Sequence, residues 1–172
     1  MSDANLKPSA DDGPIVAGDK PNPLPAGKII KTDPTKWYYL KVNYTDNKGN
    51  PAVDYACPVA KNAATSFWDY VVLGGGTARL RFQPQPADAG WYHWRIHDDD
   101  YNAGYHLDCK ATGFPYRTNL YNTWWQIVDS RLYCSYWTTG VPCGSAYYSF
   151  FVPAGEYIGM GLTPFTCELV EA

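Results

Sequence analysis

The sequence predicts an all-β fold, an antiparallel β-sandwich preceded by an extended, proline-rich N-terminal arm. Three observations carry this. From Lys36 onward the chain breaks into short runs in which apolar and polar residues alternate, the period of a half-buried strand. Clusters of Gly, Pro, Asn and Asp separate the runs, and no apolar spacing of three and four persists long enough to define a helix; Val59–Ser66 holds a single turn at most. No internal repeat is visible, which sets propellers and trefoils aside.

The elements follow in chain order. Residues 1–35 contain six prolines (Pro8, Pro14, Pro21, Pro23, Pro25, Pro34) and few aromatics. Proline removes a backbone donor and disfavours helix at the residue before it, so this segment reads as an extended or disordered arm. Residues 36–172 read as the sandwich domain. Tyr38, Leu40, Val42 and Tyr44 share one strand face, with Lys41 and Asn43 opposite, and Asp46–Asn50 closes that strand as a turn. A second apolar run, Phe67–Leu73, stops at Gly74–Gly76. Ala78, Leu80 and Phe82 then alternate with Arg79, Arg81 and Gln83, the clearest period of two in the chain. Tyr92, Trp94 and Ile96 repeat it with His93, Arg95 and His97 outward, and Tyr105, Leu107, Cys109 and Ala111 repeat it again. Runs at Trp124–Val128, Leu132–Trp137, Ala146–Val152, Tyr157–Leu162 and Phe165–Val170 complete about nine strands.

At 172 residues the chain is long enough to bury its own core, so folding requires neither a metal nor a disulfide. A net charge of −3 argues against wholesale nucleic-acid binding, which needs a basic field. Met1–Asp12 has no basic n-region and no apolar h-region, so no signal peptide is read and the compartment stays open. No run reaches the roughly 20 apolar residues of a membrane span, and membrane contact is therefore expected to be peripheral or to follow refolding. The five cysteines include no CxxC pair. Cys134 and Cys143 flank a Gly/Pro-containing turn and could pair, but buried free thiols acting as small hydrophobes are favoured. The sequon Asn43-Tyr44-Thr45 carries little weight without a secretory signal.

Enzyme chemistry finds little purchase. His93 and His97 lie near Asp98–Asp100, yet residues four apart on a strand are separated by about 13 Å, too far to share one ion. The chain contains no GxSxG, HExxH or phosphate-cradling glycine loop. The expectation is a non-enzymatic protein with no cofactor and no metal. What stands out is aromatic content, 15 Tyr, 7 Trp and 6 Phe. Tyr and Trp suit sheet cores, and also surfaces wet on one side and apolar on the other. The stretch Gly113–Ile127 concentrates them. Its first half is turn-rich, which places Tyr116, Leu120 and Tyr121 on a loop, where large apolar side chains seek a partner. Trp124 and Trp125 open a strand, so one ring should enter the core and the other should lie outward or under the loop.

In Pro115, Tyr116, Asn119, Tyr121, Trp124, Trp125 and Ile127 the stretch resembles the membrane-facing motif of the actinoporin-like family, the sea-anemone cytolysins and related fungal fruit-body lectins. Weaker parallels are the strand Thr77–Phe82 and the closing strand Phe165–Val170. The resemblance implies an actinoporin-like β-sandwich that recognises choline-type lipid head groups. Pro115 and Tyr121 would sit at the head group, Tyr116 would join the ligand-binding residues, and the motif tryptophans Trp124 and Trp125 would lie in or beside the lipid interface. Aromatic faces hold a quaternary ammonium by cation–π attraction. Four departures accompany the likeness. The proline-rich arm replaces the family's amphipathic helix, and Gly113 replaces a small hydroxyl residue. Tyr147 and Tyr148 are the nearest stand-ins for the tyrosine-bearing helix, and the cysteines are unusual for the family. The implied partner is a lipid head group, with cytolysis as a further step, or alternatively a glycan on the same fold; oligomerisation is left open.

Overall fold

The computed structural model describes residues 23–46, 48–58, 71–74, 78–97, 105–109, 115–118, 123–135, 142–143 and 164–172. The expected strands at 146–152 and 157–162, the turn at 59–66, and Tyr121, Tyr147 and Tyr148 lie outside them. The described residues form no helix and build one antiparallel sheet of ten strands. These are β1 (Tyr38–Thr45), β2 (Pro51–Pro58), β3 (Val71–Leu73), β4 (Arg81–Pro86), β5 (Tyr92–His97), β6 (Tyr105–Asp108), β7 (Tyr116–Thr118), β8 (Trp125–Val128), β9 (Arg131–Cys134) and β10 (Phe165–Glu171). The main path runs β3-β2-β1-β4-β5-β6-β7, with β10 also on β1 and the β8–β9 hairpin joined to β5. The predicted all-β antiparallel class is the observed one.

Strand β1 organises the sheet. One edge pairs with β10 from Tyr38↔Glu171 to Tyr44↔Phe165, and the other is shared between β2 and the start of β4. Its inner residues Leu40 and Val42 are fully buried and meet Phe82, Trp94, Ile96, Leu107, Trp125, Ile127 and Leu132 in one core. Phe82 and Trp94 pack with ring centroids 5.6 Å apart, and Trp94 and Trp125 at 5.9 Å. Burying side chains of this size contributes about 2–3 kcal/mol each.

Several boundaries differ from the sequence reading, each for a local reason. Strand β2 carries no clear strand signal in the sequence, because its ends are Pro51 and Pro58 and its alternation is interrupted by Asp54. Prolines are tolerated at strand ends, where no ladder donor is missed. Strand β4 begins only at Arg81 but continues through Pro84 and Pro86. Among the described strands, β1 flanks it only at Arg81 and Phe82, so Pro84 withholds no donor from that side. Tyr116, expected on a loop, lies in β7, paired to Asp108 of β6.

The arm docks before residue 36. Ile29 bridges Val128, the Lys28 amide donates to Asp129 Oδ1 at 2.8 Å, and the Asp129 amide donates back to the Lys28 carbonyl at 2.9 Å. Gly27 permits that approach: with φ of 154°, a Cβ there would lie 2.2 Å from Asp129 Oδ2. The described part of the arm, residues 23–35, forms no helix.

Candidate functional site

The sequence-nominated stretch is organised around one buried carboxylate. Asp108 ends β6 with no exposed surface. Tyr116 Oη donates to its Oδ2 at 3.1 Å, Thr123 Oγ1 donates to its Oδ1, and the Cys109 amide donates to Oδ1 at 2.8 Å. A buried carboxylate is tolerated when several donors replace its water. The pairing Asp108↔Tyr116 follows from the β6–β7 register, which sets the two side chains on the same face of adjacent strands. One carboxylate thus grips Tyr116 before residues 119–122 and Thr123 after them. Tyr121 belongs to the intervening four residues.

The remaining nominated residues divide between core and rim. Pro115 is buried and its carbonyl accepts from the Val71 amide at 3.0 Å, tying the stretch to β3. Tyr116 is 7% exposed, so its ring packs inward and its hydroxyl serves Asp108. Trp125 is wholly buried, its indole N–H donating to the Leu107 carbonyl at 3.0 Å. Trp124 is half-buried, its amide donating to Ser135 Oγ at 2.8 Å and its carbonyl accepting from the Ser135 amide at 2.8 Å. Its ring stands edge-on to His93 at 5.5 Å, and its indole nitrogen has no hydrogen-bond acceptor among the described residues. Strand alternation has split the tandem pair into one core ring and one rim ring, as expected. His93 also meets His106 at 6.4 Å, and burial lowers the pKa of the His93 imidazole, favouring its neutral form.

A second ring-bearing surface escaped the sequence reading. Tyr39, Lys41 and Asn43 face outward from β1, and the register places Tyr55 and Val53 of β2, Glu168 and Val170 of β10, and Arg81 of β4 beside them. His97 and Arg95 of β5 continue the same face. The Arg79 guanidinium lies 3.6 Å above the Tyr55 ring centroid and 5.5 Å from that of Tyr39. Trp37 meets His97 at 5.7 Å, and the Arg95 guanidinium lies 6.0 Å from the Trp37 ring. Arg81 Nη2 is 2.7 Å from His97 Nδ1, and because arginine only donates, that nitrogen is the acceptor. The alternation of Arg79, Arg81, Arg95 and His97 was visible in the sequence. Which strands would carry them side by side was not.

A third feature is an open hollow of about 270 Å³ lined by Asn43, Tyr44, Thr45, Arg131, Pro164, Phe165 and Thr166. Tyr44 Oη donates to Asp54, which fixes that wall.

Comparison with known proteins finds no matching family model, no matching curated protein and no matching solved structure.

The cysteines complete the picture. All five are buried thiols outside any disulfide, and Cys134 lies 3.3 Å (Sγ to Sγ) from Cys109 rather than bonded to Cys143.

Proposed function

We propose that the chain is a non-enzymatic, peripheral membrane-binding domain that recognises choline-type lipid head groups through Tyr121, Trp124 and the residues between them. One observation supports this above the others: the Asp108 carboxylate holds both Tyr116 and Thr123, which bracket Tyr121 in sequence, and Thr123 adjoins the half-buried Trp124. Pre-set anchors reduce the ordering cost of a binding loop. Tyr and Trp at such a rim match the amphipathic chemistry of a bilayer interface. Pro115, Tyr116 and Trp125 then act as the wall behind the site, not as its contact surface. Tyr147 and Tyr148 remain proposed contributors to the same site, as does the actinoporin-like kinship on which the choline assignment rests.

Co-sedimentation with phosphatidylcholine and sphingomyelin vesicles tests the reading. The protein should pellet with them, and Tyr121→Ala should remove most of the bound fraction while leaving the circular dichroism spectrum intact. Equal binding by that variant would reject it. Release of a trapped dye would add cytolysis to the activity.

The alternative, a glycan-binding role, draws on the hollow beside Arg131. Asn43, Thr45 and Thr166 offer amide and hydroxyl groups suited to sugar hydroxyls, and Tyr44 and Phe165 supply rings. A glycan array positive for the protein and negative for Arg131→Ala, with no vesicle binding, would select this role instead.

A further inference from the structure

We infer that the outer face of strands β10, β1, β2, β4 and β5 docks on anionic lipid, separately from the Trp124 rim. The inference borrows its membrane setting from the reading above, but it rests on different residues.

The face combines charge and apolar surface in one place. Lys41 and Glu168 on it pair with each other at 3.4 Å and cancel. Two further guanidiniums on this face are those of Arg79 and Arg81. Neither Arg79 nor Arg81 makes an ion pair with a carboxylate among the described residues. Arg79 is held over the Tyr55 ring by cation–π contact, which restricts the side chain before any ligand arrives. Asp54 belongs to the opposite face, since it pairs with the buried Val42. Asp98–Asp100 follow His97 in sequence and lie outside the described residues.

The apolar part points to lipid. Val53 is 52% exposed and Val170 36%, and both share this face with Trp37, Tyr39 and Tyr55. Exposed valines among Tyr, Trp and Arg suit a head-group layer, where rings and aliphatic groups enter the interface while guanidiniums meet phosphates. A nucleic-acid strand would need open ring faces for base stacking, and Arg79 already covers that of Tyr55. The overall charge of −3 does not oppose a local contact, because charges more than about 8 Å away are screened at physiological salt.

The test compares vesicles of phosphatidylcholine alone with vesicles mixed equally with phosphatidylserine. Wild-type protein should bind the mixed vesicles more tightly. The double variant Arg79→Gln/Arg81→Gln should bind them about thirtyfold more weakly, from about 1 kcal/mol per arginine at an anionic surface. Its binding to phosphatidylcholine alone should not change. Arg79→Lys/Arg81→Lys should retain most of the increment, and 1 M salt should erase it. Equal wild-type affinity for the two compositions overturns the inference while leaving the choline reading intact. An increment that survives in the glutamine variant also overturns it. Binding to mixed vesicles only would uphold it and reject choline recognition, and binding to neither would reject both. Arginine-dependent binding of single-stranded DNA without binding to mixed vesicles would assign the face to nucleic acid and end the lipid inference.

Discussion

At the scale of single residues, Asp108 shows how a polar group can be more costly to remove than to bury. Its carboxylate is sealed from solvent and receives donors from Tyr116, Thr123 and its neighbour's amide. Replacing it with alanine removes the carboxylate acceptor of both Tyr116 Oη and Thr123 Oγ1 and leaves the Thr123 hydroxyl with the Cys109 carbonyl. Hydrogen bonds to a charged group contribute about 1.5–3 kcal/mol each, and unsatisfied buried donors add a desolvation cost. Asp108→Ala is expected to lower the unfolding free energy by about 3 kcal/mol, read from the urea midpoint at constant m. Tyr116→Phe deletes one donor cleanly and should cost about 1 kcal/mol. In the double variant the tyrosine change should cost almost nothing more. Additive losses would mean the hydroxyl's partner is not Asp108.

At the scale of elements, strand alternation decides which half of Trp124-Trp125 matters for folding. Trp125 opens β8 against Trp94 with no exposure, whereas Trp124 stands at the rim against His93. Trp125→Ala should cost about 3–5 kcal/mol, the range for a large buried aromatic. Trp124→Ala should cost about 1 kcal/mol, while lowering vesicle binding more than stability. Guanidinium denaturation of both variants checks the contrast, and equal losses would contradict the placement. The same logic explains what could be read in advance. The period of two at Leu80–Phe82 and Trp94–Ile96 was legible because one face is apolar and the other charged. Strand β2 was not, since Val53 and Tyr55 are its outward residues and its buried end, Ala56-Cys57, is short. Nor was β7, where Tyr116 and Arg117 are both buried and no alternation survives. The candidate stretch was identified from composition, but composition cannot tell a ring that packs from a ring that projects. The arginine face was invisible for a further reason. It exists only once β1 is flanked by β10, β2 and β4, and pairing between distant strands leaves no local mark on the sequence.

At the scale of the whole molecule, the five thiols link the integrity of the fold to pH. Cys57 lies in β2, Cys109 follows β6, Cys134 ends β9 and Cys167 lies in β10; with Cys143 all five are buried, the last four in the common core. Burial pushes the thiols of Cys109, Cys143 and Cys167 well above their ordinary range, with neighbouring thiols adding to the effect at Cys109 and Cys143. The sign follows from proton counting. Above about pH 8.5 the unfolded chain loses these protons and the folded chain keeps them, so the unfolded state binds fewer protons and stability falls as pH rises. Below that pH the contribution is fully present. Each such thiol removes about 1.4 kcal/mol per pH unit once its unfolded form ionises. Urea midpoints measured from pH 8 to pH 10 should therefore drop more steeply for the wild type than for Cys167→Ala, which lacks one of the three. Thiol labelling gives the matching kinetic picture. Native protein at pH 8 should label slowly, at a rate set by opening of the sheet, whereas denatured protein should expose all five groups at once. Rapid labelling of any of the five in the native state, or parallel midpoint slopes for wild type and variant, would mean that strands β6, β9 and β10 do not close over a common thiol-bearing core.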